Sequence, residues 1–209
     1  LFVMFQHVPQ GALPPLPPGH MLARVSAQHR AGYEVHDGEH SFNVQPAPKF
    51  LKRNLEPAAR PAVGDFVIIE NGAPPHIIEV LPRRSVFERA AAGEKYQRQI
   101  IATNIDVVCV LTGLDGDFNP ARIERYLALV EGSGARAVVV LTKRDVADDA
   151  KADAAIDALR KRLPADAPVV AINGKDAASA ATLEAHFAPT TTVVLVGSSG
   201  AGKSTLTNT

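Results

Sequence analysis

A glycine-rich run near the end of the 209-residue sequence has the residue types and spacing of a phosphate-binding loop. It follows the apolar stretch Val193–Val196 and reads Gly197, Ser198, Ser199, Gly200, Ala201, Gly202, Lys203, Ser204 and Thr205. A loop that wraps around phosphates must turn its N–H groups inward, and glycine adopts the necessary backbone angles at the lowest cost. A helix that begins at Lys203 would add its positive N-terminal dipole. The pattern predicts binding of a nucleoside triphosphate, with Lys203 at the β- and γ-phosphates and the Ser204 hydroxyl on Mg²⁺.

A second motif could recognise the base of this nucleotide. The apolar run Ala137–Leu141 is followed by Thr142, Lys143, Arg144 and Asp145. In open α/β sheets, ligands bind at the carboxyl ends of the parallel strands. A carboxylate at that place can accept hydrogen bonds from both N1–H and the exocyclic amine of guanine, a donor pair that adenine lacks. The stem of Lys143 can cover the face of the base, so the motif favours guanine.

The order of the two motifs is reversed relative to an ordinary GTPase, in which the phosphate loop comes first. Here Asp145 precedes Gly197, so the same parts occur in a permuted order. The elements predicted around them alternate between strand and helix, which is typical of a parallel sheet with right-handed crossovers. Strands are predicted over 105–111, 137–141, 169–172 and 193–196, and helices are predicted to begin at Asn119-Pro120 and Asp148, with a weaker helix over 176–187.

The first half of the sequence has a different pattern. Short strands and turns between residues 21 and 84 predict a small β-barrel, for which the five-stranded OB type is a natural candidate and an SH3-like barrel stays open. Tyr33–His36 and Glu39–Val44 flank Asp37-Gly38. This spacing predicts a hairpin with a two-residue type I′ turn, in which Tyr33 faces Phe42. Further strands are predicted over 65–70 and 76–81.

Two segments are predicted to lie outside these domains. Residues 1–20 contain five of the 16 prolines. Because proline lacks an N–H group and restricts its neighbour, we interpret this segment as an extended tail. Residues 85–98 carry Ala90–Gly93 and scattered charges, and we interpret them as a linker.

The sequence resembles the circularly permuted GTPases, and specifically the small-ribosomal-subunit-dependent GTPase A family. Besides the two nucleotide motifs, the resemblance is carried by Pro61–Val67, Leu81–Ser85, Gln99–Asp106 and Ile123–Leu127. It implies an OB-fold domain over 21–84 and a permuted GTPase domain over 99–209 that is truncated after the phosphate loop. It further implies hydrolysis of GTP, with Mg²⁺ and stimulated by rRNA, in late maturation of the small ribosomal subunit. Zinc is implied only for a C-terminal domain, which is absent from this sequence.

The sequence departs from the family pattern in two motifs. Thr142 stands where asparagine is usual, and Val170–Gly174 stands where the family has Ser-Ala. A threonine hydroxyl reaches less far than an amide, so we expect a weaker tie to the phosphate loop and lower guanine affinity. The sequence also stops before the switch regions, and we expect the fragment by itself to hydrolyse GTP weakly or not at all. An ATP-dependent P-loop enzyme (an ABC-type ATPase or a kinase) and a non-hydrolysing RNA-binding module remain alternatives.

Composition excludes several classes of protein. Lys and Arg number 22, as do Asp and Glu, and a net charge of zero argues against a broadly basic nucleic-acid binder. RNA binding therefore rests on the resemblance. The single cysteine, Cys109, excludes an intrachain disulfide and is predicted to be a small buried hydrophobic residue. No apolar run approaches the roughly 18 residues of a membrane span. We expect a cytoplasmic monomer with no membrane partner.

Overall fold

The computed structural model describes residues 2–4, 15–90, 98–164 and 167–209. These residues form two compact units, of which one ends at Ile105 and the other comprises Asp106–Thr209 together with a strand at Phe2–Met4. The described strands are β1 (Phe2–Met4), β2 (His20–His29), β3 (Gly32–His36), β4 (Ser41–Pro46), β5 (Phe66–Glu70), β6 (His76–Val80), β7 (Val86–Ala90), β8 (Arg98–Thr103), β9 (Val107–Gly113), β10 (Arg136–Thr142), β11 (Val169–Ala171) and β12 (Val193–Gly197). The α-helices are α1 (Pro120–Glu131), α2 (Asp149–Arg160), α3 (Ala177–Ala181) and α4 (Lys203–Asn208).

The strands of the first unit form a closed five-stranded barrel in the order β2-β3-β4-β6-β5. β4 and β6 run parallel, and the other neighbouring strands run antiparallel. A five-stranded Greek-key barrel of this kind is the OB type, so the predicted fold is confirmed and the SH3-like alternative is set aside. Small and β-branched side chains fill the interior at alternating strand positions: Ala23, Val25, Val35, Val44, Val67, Ile69 and Ile77.

The hairpin between β3 and β4 differs from its prediction. Its loop has four residues, and Tyr33 pairs with Val44 instead of Phe42. The cause is Asp37, whose Oδ1 accepts the backbone N–H groups of Glu39 and His40, each at 2.8 Å. This side-chain turn lengthens the loop by two residues. A shift of two residues keeps every side chain on its predicted face.

The segment interpreted as a linker is in part a strand. β7 pairs antiparallel with β8, and Phe87 on β7 is completely buried. β8 belongs to the unit that ends at Ile105. The sequence instead predicts the boundary between the two domains at residue 99, within β8. The Thr103 hydroxyl at the end of β8 donates to Asp65 Oδ1 of the same unit at 2.7 Å. The rest of the predicted linker, residues 91–97, lies outside the described residues.

The second unit is built on a five-stranded sheet in the order β1-β12-β9-β10-β11. The last four strands run parallel, whereas β1 pairs antiparallel with β12 at one edge. β1 therefore falls within the segment interpreted as a tail, of which residues 5–14 lie outside the described residues. β9 occupies the centre of the sheet and is buried at every position, as its continuous apolar run predicts.

The predicted helix starts of this unit are confirmed. The Asn119 side chain accepts the N–H of Arg122 at the start of α1, and Asp148 accepts the N–H of Lys151 at the start of α2. The weaker helix is shorter than predicted, because α3 passes into a 3-10 turn over Thr182–His186. No helix in the described ranges combines the length and apolar character that crossing a membrane requires.

Candidate nucleotide-binding site

The phosphate loop connects the end of β12 to the start of α4. Three of its glycines have positive φ angles, 152° at Gly197, 81° at Gly200 and 87° at Gly202. A Cβ atom on Gly197 would lie 2.4 Å from the carbonyl oxygen of Leu111, so only glycine fits there without a backbone shift. The loop has the strand-loop-helix context that its sequence motif requires.

Lys203 lies in the first turn of α4 and reaches back over the loop. Its Nζ donates to the carbonyl oxygens of Gly197 at 3.0 Å and Ser198 at 2.6 Å. These two hydrogen bonds hold the ammonium group beside the loop. The next two residues, Ser204 and Thr205, are exposed on the same turn.

The base-recognition motif begins where β10 ends. Lys143 has a left-handed backbone conformation (φ 59°, ψ 39°), and a 3-10 turn follows over Arg144–Val146. The Asp145 carboxylate accepts a hydrogen bond from Lys175 Nζ at 3.2 Å, from the loop that follows β11. The Arg144 N–H donates to the carbonyl oxygen of Ile172 at 3.1 Å and joins the two loops through the backbone.

Thr142 connects the base-recognition strand to the phosphate loop. Its hydroxyl donates to the carbonyl oxygen of Ala201 at 2.8 Å, and both residues are buried. The sequence predicts that threonine in place of asparagine would weaken the connection to the phosphate loop. The connection is nevertheless present, because the two backbones lie close enough for a single hydroxyl to bridge them. At 2 % exposure, Thr142 has little surface left with which to touch a base.

Both motifs line one cavity of about 490 Å³, within the size range of small-molecule sites. Its lining comprises Thr142, Lys143, Asp145, Val146, Asn173, Gly174, Lys175, Ser199, Gly200, Gly202, Lys203, Ser204 and Thr205. Three residues of the predicted site are not in the lining: Gly197 and Ser198, which begin the loop, and Ala201, which is fully buried.

Several residues at or beside the cavity were missed by sequence reasoning. Val146 and Lys175 line the cavity and follow the ends of β10 and β11. The rule that ligands bind at the carboxyl ends of parallel strands would have found them. Asp115 and Asp117 follow β9 and contact Lys143 and Ser198, respectively. Within the part of the chain that the structure describes, no three His, Cys, Asp or Glu side chains are grouped to hold a metal ion.

Comparison with known proteins identifies the family. A family model described as RsgA GTPase matches residues 80–209, more than half of the chain. The chain belongs to the RsgA GTPase family. This membership confirms the resemblance found in the sequence.

Curated RsgA relatives match almost the whole chain. The protein named small ribosomal subunit biogenesis GTPase RsgA from Xanthomonas oryzae pv. oryzae (strain MAFF 311018) is 48% identical over 193 residues, which cover 92% of this chain and 52% of the relative. The protein of the same name from Xanthomonas campestris pv. campestris (strain B100) is 47% identical with the same coverage. The chain thus spans about half the length of the curated relatives it matches.

Two crystal structures share the fold. YjeQ from Thermotoga maritima matches with a TM-score of 0.69 and 21% identity, over 90% of this chain and 64% of that chain. YloQ, described as a circularly permuted GTPase, matches with a TM-score of 0.63 and 23% identity, over 90% of this chain and 63% of that chain. The predicted fold class, an OB-type barrel followed by a permuted α/β P-loop domain, is confirmed.

Proposed function

We propose that the protein to which this chain belongs binds and hydrolyses GTP during maturation of the small ribosomal subunit. The observation that carries the proposal is that the phosphate loop and Asp145 line the same cavity. The names of the RsgA relatives support the link to the small subunit. We include its rRNA as a partner, a cytoplasmic location and a monomeric state in the same proposal.

Guanine selection is assigned to the end of β10. The Asp145 carboxylate would accept N1–H and the exocyclic amine of guanine, two donors that adenine does not offer together. Val146 lines the same cavity with an exposed apolar side chain, and the Lys143 stem offers a second apolar surface for a planar base. Asn173 and Gly174 lie in the same lining and would meet the base edge.

Phosphate binding is assigned to the P-loop. Its backbone N–H groups and the Lys203 ammonium would stabilise the negative charge of the β- and γ-phosphates. The residues present fit Mg²⁺ that arrives with the nucleotide, because Ser204 supplies a hydroxyl oxygen on the cavity wall and oxygen is the ligand that Mg²⁺ prefers. Mg²⁺ would neutralise phosphate charge. Zinc is proposed only for the C-terminal domain that the family resemblance implies.

The decisive experiment measures base preference in the full-length protein. Labelled GDP is displaced by GDP or ADP in the presence of Mg²⁺, for the wild type, Asp145→Asn and the control Asp157→Asn, which makes the same change at an exposed position on α2. We expect GDP to win by at least about tenfold, or roughly 1.4 kcal/mol. Asp145→Asn should lose this preference, whereas Asp157→Asn should keep it.

The other outcomes separate the alternatives. If ADP competes as well as GDP, Asp145 does not select the base and an ATP-dependent enzyme is favoured. If neither nucleotide binds, a non-hydrolysing RNA-binding module is favoured. Phosphate release from GTP, measured with and without small ribosomal subunits, then tests the biological role. Lys203→Ala should abolish the stimulated rate while leaving the barrel folded.

A further inference from the structure

The loop that follows β9 lies between the two halves of the proposed nucleotide site. β9 is flanked in the sheet by β10, which leads into the base-recognition motif, and by β12, which leads into the P-loop. The three strands run parallel, so the loops that follow them emerge at the same edge. This central loop, residues 114–118, carries two carboxylates, Asp115 and Asp117, and neither lines the cavity.

Asp115 contacts the base-recognition side of the site. Its Oδ2 accepts a hydrogen bond from Lys143 Nζ at 2.6 Å, and its Oδ1 accepts the N–H of Asp117 at 3.0 Å. Both contacts stabilise the charged carboxylate, and the hydrogen bond from Lys143, the larger effect, holds the pKa of Asp115 below its usual value. The ion pair therefore forms at neutral pH.

Gly113 at the end of β9 makes room for this ion pair. A Cβ atom there would lie 2.6 Å from Asp115 Oδ1 and 3.2 Å from Lys143 Cδ. Any larger residue would displace the carboxylate or the lysine stem. The contact between Asp115 and Lys143 therefore requires a residue without a side chain at position 113.

Asp117 contacts the phosphate side of the site. Its Oδ2 accepts the hydroxyl of Ser198, the second residue of the P-loop, and its Oδ1 accepts Nη1 of Arg122 at 2.8 Å. A second guanidinium nitrogen, Nη2, donates to the backbone oxygen of Asp117 at 2.9 Å, so the start of α1 holds the acidic loop at two points. Burial alone would raise the pKa of Asp117, but the hydrogen bonds from Ser198 and Arg122 outweigh it and lower the pKa.

The P-loop lysine completes the connection. Lys203 Nζ donates to the carbonyl oxygen of Ser198, the residue whose hydroxyl is held by Asp117. A displacement of Asp117 would therefore be transmitted through one residue to the ammonium group at the proposed phosphate site. Asp115 acts on Lys143 with no intermediate residue.

We propose that the acidic loop over 114–118 is a brace that positions both halves of the nucleotide site, with Asp115 orienting Lys143 for the base and Asp117 orienting the P-loop for the phosphates. Both are positioning residues, because they act through Lys143 and Ser198. The inference rests on the proposed nucleotide site. It predicts that the two neighbouring carboxylates have separable effects.

The test compares two ligands in the full-length protein. Labelled GDP is titrated directly, and inorganic tripolyphosphate, which has no base, is used as a competitor. Asp115→Asn should weaken GDP binding about two- to fivefold, as expected for a partly exposed ion pair, and leave the affinity for tripolyphosphate unchanged. Asp117→Asn should weaken both ligands by a similar factor of about ten, because it removes the charge from hydrogen bonds to Ser198 and Arg122. Asp157→Asn controls for the loss of one negative charge.

A variant without a charge change gives an independent check. Gly113→Ala should displace Asp115 and reproduce the ligand pattern of Asp115→Asn. Equal weakening of both ligands by Asp115→Asn would overturn the division of roles. So would effects of Asp115→Asn and Asp117→Asn no larger than that of Asp157→Asn.

Amide hydrogen exchange on the nucleotide-free protein keeps the inference separate from the proposed function. Asp117→Asn should raise exchange across the P-loop, residues 198–202, and Asp115→Asn should raise it over 143–146. If the wild type binds no guanine nucleotide, the proposed function fails, yet this local pattern still supports the brace. Unchanged exchange in both loops would refute the brace whether or not nucleotide binds.

Discussion

The hydroxyl of Thr142 offers a direct test of how the two nucleotide motifs are held together. Valine has nearly the shape of threonine but lacks the hydroxyl. Thr142→Val therefore removes the hydrogen bond to the Ala201 carbonyl at 2.8 Å and the longer one to the Thr112 carbonyl at 3.3 Å. Thr142 is 2 % exposed and Ala201 is 0 % exposed. Water therefore has little access to replace the missing donor.

The size of the effect follows from the hydrogen bond and its burial. A typical intramolecular hydrogen bond contributes about 1 kcal/mol, and a buried acceptor left without a partner costs about 1–3 kcal/mol. The donor–acceptor distance of 2.8 Å is that of a well-formed bond. If this hydrogen bond holds the P-loop in its binding geometry, GDP must restore that geometry when it binds Thr142→Val, and the free energy of binding is reduced accordingly. We expect GDP affinity to fall by about five- to tenfold, since roughly 1.4 kcal/mol corresponds to a factor of ten.

The assay is titration of labelled GDP into the full-length variants, together with amide exchange of the P-loop. Thr142→Ser keeps the hydroxyl and loses one methyl group, so it should lower stability by about 0.8 kcal/mol while GDP affinity stays within about twofold. Thr142→Asn introduces the residue that is usual in the family and should preserve the tie. Wild-type affinity in Thr142→Val, with unchanged exchange, would show that the hydrogen bond does not position the P-loop.

Three further predictions test other parts of the structure. Gly197→Ala should abolish nucleotide binding, because the new Cβ would lie 2.4 Å from the backbone oxygen of Leu111; equilibrium titration checks this, and binding at wild-type strength would contradict it. Asp65→Asn should destabilise the barrel unit by about 3–5 kcal/mol, because the completely buried carboxylate pairs with Arg83 at 2.6 Å. Thermal denaturation checks this, and a clearly smaller loss of stability would contradict it. Burial raises the pKa of Cys109 to about 12, so a thiol reagent at pH 8 should label it only after unfolding, whereas rapid labelling of the native protein would refute its burial.

The fold followed closely from local patterns in the sequence. The continuous apolar run of β9 predicted a strand buried on both faces, and Asn119 and Asp148 predicted the starts of α1 and α2. The predictions that failed depended on interactions outside those patterns. The length of the β3–β4 loop was decided by the hydrogen bonds that two backbone N–H groups donate to the Asp37 carboxylate, which an Asp-Gly pair alone does not specify.

The linker interpretation failed for a related reason. Residues 86–90 form β7 because they pair with β8, and the buried ring of Phe87 anchors the strand. Val86 and Phe87 favour a strand, but the charged residues and alanines that follow them carry no strong strand signal. Likewise, β1 exists through its pairing with β12, which lies near the opposite end of the chain.

The sequence by itself determined the two nucleotide motifs, their permuted order and the succession of a barrel and an α/β unit. These features depend on residue types at short spacing, so they can be recognised before any contact is known. Only the tertiary structure decided which residues hold the motifs together. Thr142 meets Ala201 across 59 positions, and Asp117 meets Ser198 across 81. The order of the parallel strands brings their carboxyl ends to one edge of the sheet, and no local pattern encodes which side chains then come within hydrogen-bonding distance.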